Sequence, residues 1–150
     1  MTVNNLSVNE ENFHMFAWWA SILVLKIFFT VALVGFWRHY KKIFLSPEDA
    51  KAIKGSKVVY DDPDVERCRR AHLNDLENIL PWVISTALWL TTSPDPSTAG
   101  FLIKTFAISR IIHTIVYAVI VVRQPARFLA FMIGLSITVY QTFATVYYYS

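Results

Sequence analysis

The apolar run at 99–122 carries Arg110, His113 and Tyr117 within it. Hydrocarbon holds such groups only where they face protein or a water-filled cleft, so an arginine there marks a functional site by default. A second polar cluster, RRAHLNDLEN at 69–78, opens another mostly apolar segment. Hydrophobic residues make up 55% of the chain and charged residues only 17%, where a soluble domain carries about 25% charge. The chain therefore reads as a membrane protein with a chemical site among its helices.

Four spans follow from the pattern. MFAWWASILVLKIFFTVALVGFW at 15–37 reaches about 34 Å as a helix, enough for a hydrocarbon core of about 30 Å. Its length, and positive charges that follow rather than precede it, argue against a signal peptide. Lys26 interrupts it, either as an interhelical contact or snorkelling amine, or as part of the chemistry. The second apolar stretch, ILPWVISTALWLTT at 79–92, is too short to cross alone, so its helix must run back through 66–78 to Pro63, with Asp62 as cap. Pro81 is placed to bend it, and SPDPS at 93–97 ends it. The short connection 123–126 makes the third and fourth helices antiparallel neighbours. The expectation is an all-α integral membrane protein, a four-transmembrane-helix bundle forming a single membrane domain over 1–150, with helices at about 13–40, 63–92, 99–122 and 127–149.

Nine basic residues lie in 38–70, and Arg123 and Arg127 follow two crossings later. The positive-inside rule then places the 38–70 connection and the 123–126 loop in the cytoplasm, with both termini across the membrane. A net charge of +3, with basic residues gathered beside apolar runs, does not describe a surface that follows phosphates, so no nucleic-acid partner is expected. The single cysteine, Cys68, allows no internal disulfide and has no metal-site spacing; it reads as a bystander near a loop, and no metal is expected.

Arg70, Asn74 and Glu77 fall at helical angles of about 0°, 40° and −20°, one narrow stripe. Arg110, His113 and Tyr117 share a face of the third helix, Arg38 closes the first and Arg127 opens the fourth. Glu77 could neutralise Arg110 inside the bundle, and His113 could be a packed core residue. Taken together, however, the arginines outnumber the acids, and a cleft of this composition suits an anionic ligand, since the guanidinium fork matches carboxylates. A carboxylate of glutathione or a fatty acid, or a lipid phosphate, fits equally.

VERCRRAHLNDLENILPW at 65–82, SRIIHTIVYA at 109–118, FLSPEDA at 44–50 and RQPARFLAF at 123–131 resemble the signature of the membrane-associated proteins in eicosanoid and glutathione metabolism, the MAPEG family. The resemblance covers nearly the whole chain from residue 13. It implies a homotrimer of four-helix subunits in the endoplasmic reticulum or outer mitochondrial membrane, with glutathione as co-substrate in a cytosol-facing cleft between subunits. By motif, Arg38, Arg70, His72, Asn74, Glu77, Arg110, His113, Tyr117 and Arg127 resemble the glutathione-binding set, His72 and Arg110 in supporting places. Arg127, Tyr117 and Asp49 resemble catalytic positions.

Two catalytic branches of the family compete. RRAHLNDLENI matches the glutathione transferases, whereas Leu73 stands where the prostaglandin E synthase branch has an arginine, and Phe128 and Phe131 replace its serine and tyrosine. The resemblance thus implies conjugation of glutathione to lipophilic electrophiles, with reduction of lipid hydroperoxides as a further reaction. A glutathione-dependent prostaglandin E synthase or a non-catalytic lipid-binding membrane scaffold are the alternatives. Ala50 replaces a cysteine that mammalian transferases use to sense thiol stress, so activation through that site is not expected. The implied partners are glutathione, hydrophobic electrophiles or lipid hydroperoxides, membrane lipid and further copies of the chain.

Overall fold

The computed structural model describes residues 8–150. Helix α1 (Glu10–Lys41) starts where the Asn9 side chain accepts from the Asn12 N–H at 3.2 Å. Glu10 and Glu11 at its beginning and Arg38, His39 and Lys41 at its end complement the helix dipole. It stops at Lys42, whose φ of 55° lies in the left-handed region. The connector that follows contains β1 (Ile43–Phe44), the short α2 (Pro47–Ala52) and β2 (Lys57–Val58). Ser46 caps α2 and Pro47 opens it, and β1 pairs in parallel with β2. Strands of two residues leave no period to read, so this small pairing is an addition to the all-α expectation.

Helix α3 (Pro63–Leu90) is capped by Asp62, whose carboxylate accepts from the Asp64 and Val65 N–H groups. After the turn at 91–95 come α4 (Pro96–Thr114), a π-helical segment (Ile115–Val119) and α5 (Ala126–Tyr149). Helix α1 packs on α3 and α4, and α5 packs on the same two from the other side; among the described residues the α1 and α5 backbones do not come close to one another. The core lies where the four long helices meet. Trp82 is fully buried and stacks on Phe106 with ring centroids 4.3 Å apart, and Phe16 closes in at 5.7 Å. Cys68 is buried with Ala71 and Ala118 rather than sitting near a loop.

Lys41 ties the end of α1 to the start of α3. Its ammonium bonds Asp62 at 2.9 Å and also Asp64, which Arg67 approaches at 2.8 Å. Both acids lie ahead of the apolar part of α3. Burial acts to raise the Asp62 carboxyl, but the Lys41 ammonium and two backbone N–H groups outweigh it and hold it below the usual range. Asp64 is lowered chiefly by the bond from Lys41, against a smaller desolvation effect, with Arg67 adding to it.

The outer faces are apolar, with Leu25, Phe28, Phe101 and Phe143 all exposed. Residues 10–41, 96–119 and 126–149 form helices long and apolar enough to cross a bilayer, and greasy surface on this scale needs a lipid cover. The chain is a multi-pass membrane protein. At 28 residues, α3 is about 42 Å long, but its first half carries the charge cluster of 64–77.

Candidate active site

The same 3.6-residue period sorts α3 into two faces. Cys68, Ala71, Asp75, Ile79 and Trp82 point into the bundle, while Arg70, Leu73, Asn74 and Glu77 line a cavity of about 490 Å³. His113 and Tyr117 enter it from α4 and the π segment, Gln124 from the connection before α5, and Arg127, Phe128 and Phe131 from the start of α5. The cavity lies at the end of the bundle that carries the 42–62 connector. At the opposite end, the Asn12 amide donates to the Pro94 carbonyl at 3.0 Å.

Tyr117 is the hub of the cavity. Arg70 Nε donates to its hydroxyl at 3.4 Å, the Arg127 guanidinium lies over its ring at 4.8 Å, and the His113 ring stacks beside it at 5.6 Å. The π segment sets this geometry: the Ile120 N–H bonds the Ile115 carbonyl at 2.7 Å, five residues back. Such widened turns re-aim side chains and recur at functional sites. Gln124 shapes the other wall, its side-chain oxygen accepting from the Phe128 N–H at 3.2 Å where α5 begins. Pro81 lies within α3 and supplies no N–H to the carbonyl four residues back. That carbonyl belongs to Glu77, so the helix is locally short of a donor beside the cavity.

The fully buried Arg110 stands behind the wall rather than in it. Its Nη2 donates to Asn74 Oδ1 and lies 3.2 Å from Asp75 Oδ1 and 3.5 Å from His113 Nδ1. Asp75 also receives Lys26 of α1 at 2.6 Å and the Thr114 hydroxyl at 3.3 Å. The acid that neutralises Arg110 is therefore Asp75 and not Glu77, which stays exposed on the cavity side. Lys26 is an interhelical contact.

Of the residues singled out from sequence, the cavity gathers Arg70, Asn74, Glu77, His113, Tyr117 and Arg127. Three others stand apart from its lining. His72 pairs with the Thr30 hydroxyl at 3.1 Å, Asp49 is exposed in α2, and Arg38 is half-buried near the end of α1 with an unpartnered Nε. Asp75 was not singled out, although a readable signal existed: it is the one charged residue on the buried stripe 68, 71, 75, 79, 82. Gln124 carried no such signal.

The lining combines two guanidinium groups, a carboxylate, two side-chain amides, an imidazole and a phenol, with Leu73, Phe128 and Phe131 supplying apolar surface beside them. This arrangement can hold a small zwitterionic or anionic molecule against a greasy partner. The MAPEG family model matches residues 16–147, which is most of the chain. The chain belongs to the MAPEG family. Microsomal glutathione S-transferase 1 of Homo sapiens is 41% identical over 135 residues, covering 87% of this chain and 86% of that protein. Its Bos taurus counterpart is 42% identical over 140 residues, with 89% and 90% covered. Prostaglandin E synthase of Bos taurus is 36% identical over 115 residues, 77% of this chain and 74% of its own. This MAPEG chain is thus more similar to those transferases than to that synthase.

Proposed function

We propose that this protein is a glutathione transferase that conjugates glutathione to lipophilic electrophiles. The observation that carries the reading is the pair of arginines converging on Tyr117, with Asn74, Glu77 and His113 lining the same cavity. Arg70 and Arg127 take the glutathione carboxylates and bring positive charge to its thiol, Glu77 accepts from its ammonium, and Asn74 and His113 meet the peptide groups. Tyr117 donates to the sulfur. The higher identity to the two glutathione transferases supports the choice of co-substrate.

In the reaction the thiol loses its proton to solvent and the thiolate attacks the electrophilic carbon. A carbon–sulfur bond forms, and the leaving group departs with its electron pair. Lowering the thiol pKa raises the thiolate population at neutral pH at some loss of intrinsic nucleophilicity. The electrophile reaches the site from the bilayer along Leu73, Phe128 and Phe131. Reduction of a lipid hydroperoxide is a further reaction: the same thiolate attacks the terminal peroxide oxygen, the O–O bond breaks to release the lipid alcohol, and a second glutathione converts the resulting sulfenic acid to the disulfide and water.

The proposed assembly is a homotrimer of subunits with four membrane-crossing helices, α3 included. It resides in the endoplasmic reticulum membrane, with the outer mitochondrial membrane as a second location, and its site faces the cytosol. In this arrangement the cleft lies between neighbouring copies, and Arg38, whose Nε has no partner in its own chain, serves a neighbour's cavity. Asp49 acts near Arg127 in the same setting.

The test is glutathione-dependent turnover of a chlorinated nitroaromatic by purified protein in detergent. Arg127→Ala is expected to lower kcat/KM by about a hundredfold, the scale of losing one group that stabilises developing or standing negative charge, while size-exclusion behaviour is unchanged. Parent-like turnover in the variant removes Arg127 from the chemistry. Similarity to prostaglandin E synthase supports a second reading, endoperoxide isomerisation with glutathione. Glutathione binding without nitroaromatic turnover, together with product formation from an endoperoxide, favours that reading. No glutathione binding at all favours a lipid-binding scaffold.

A further inference from the structure

Behind the cavity lies a buried charge cluster that the proposed chemistry does not touch. Lys26 Nζ of α1 sits 2.6 Å from Asp75 Oδ1, and Arg110 Nη2 sits 3.2 Å from the same oxygen. The three side chains are 8%, 0% and 0% exposed. Two cations share one anion, so the cluster keeps a net positive charge inside the bundle. None of the three lines the cavity. Arg110 nevertheless donates to Asn74 and stands 3.5 Å from His113 Nδ1, and both of those do line it.

Well-packed apolar residues would hold helices together as firmly as a buried ion cluster or better. What such packing lacks is an unbalanced charge in a medium of low dielectric, where a charge is felt at longer range than in water. The other groups facing the site are fixed by the surrounding elements. Helix α3 contributes Arg70 and Glu77 on the cavity side and His72, held by Thr30, on the α1 side. From α4 and its π segment come His113 and Tyr117, and from α5 Arg127.

We propose that Lys26 and Asp75 are positioning residues of the site: they fix Arg110 behind Asn74 and His113 and leave surplus positive charge beneath the bound thiol. The inference rests on the glutathione reading above. Its particular content is opposite signs for two substitutions. Lys26→Met removes a positive charge and disfavours the thiolate. Asp75→Asn removes the negative one and favours it.

The measurement is the pH dependence of thiolate ultraviolet absorbance for glutathione bound to the full-length protein in nanodiscs, alongside kcat and KM. Lys26→Met is expected to raise the ionisation midpoint by about 0.5 to 1 unit, the order for one charge at an effective dielectric of about 20, with kcat at neutral pH falling several-fold. Lys26→Arg restores both. Asp75→Asn is expected to lower the midpoint. A purely structural role lowers binding or yield in both variants without moving the midpoint in either direction. Unmoved midpoints, midpoints that move together, or failure of both variants to assemble or bind would overturn the proposal. A parent protein that binds no glutathione overturns the functional reading first, and this inference with it.

Discussion

Arg70 meets the hydroxyl of Tyr117 and Arg127 meets its ring, so two substitutions separate the two contacts. Tyr117→Phe removes only the hydroxyl. Its bond from Arg70 is long at 3.4 Å, and a fall in kcat/KM for glutathione of about 2- to 5-fold is expected, the range of one modest hydrogen bond. Tyr117→Ala also removes the face under Arg127, adding about 0.5–1 kcal/mol. Steady-state kinetics on both variants check this, and equal effects would assign the whole contribution to the hydroxyl. In the core, Trp82→Ala deletes a fully buried ring stacked on Phe106 and should cost about 3 kcal/mol or more, read as a fall in thermal stability in detergent. At this scale Arg70, Asn74 and Glu77 were legible because three residues of one helix keep a fixed angle whatever surrounds them. Asp75 was not, because its partners Lys26 and Arg110 come from two other helices, and sequence distance carries no angle between helices.

The joints between elements depend on charge placed outside the membrane. Asp62 and Asp64 are both held below their ordinary carboxyl value of 3.8. A carboxyl lowered in the folded state adds stability above its unfolded pKa and loses it as pH falls through the folded one. The Lys41 clamp should thus be indifferent to pH between about 8 and 5 and loosen only below about 3.8. Hydrogen exchange in the 42–62 connector, corrected for intrinsic rate, should rise in that acid range. In Asp64→Asn it should already be raised at neutral pH. Exchange that climbs between pH 7 and 5 would point to a different titrating group. The start of α3 was open to reading from sequence, since Asp62-Pro63 uses local chemistry alone, whereas the short α2 behind Ser46-Pro47 was not expected. The π segment at 115–119 was hidden, because IVYAV is an ordinary apolar stretch in which no residue marks a widened turn.

For the whole molecule, the apolar faces of three helices require a bilayer, and the basic connector predicts which side its loops occupy. In sealed microsomes, protease added outside should cut within 42–60, where Lys51, Lys54 and Lys57 are exposed, and should spare the turn at 91–95. Cleavage of that turn instead would invert the proposed orientation. Thiol reagents should leave activity unchanged, since the single cysteine, Cys68, is 1% exposed and Ala50 offers no sulfur.

The membrane class, the stretches that become long helices and the stripes on each helix follow from composition and period, which are properties of the chain before it folds. Family membership was readable for the same reason: its motifs are strings of neighbouring residues, such as 65–82 and 109–118. Which stripes meet was decided only in three dimensions. The packing of α1 and α5 against both α3 and α4 placed Lys26 on Asp75, put Arg110 behind the cavity wall, and left His72, Arg38 and Asp49 outside the lining. Periodicity fixes the angle of a side chain about its own helix, and nothing in it encodes the rotation of one helix against another.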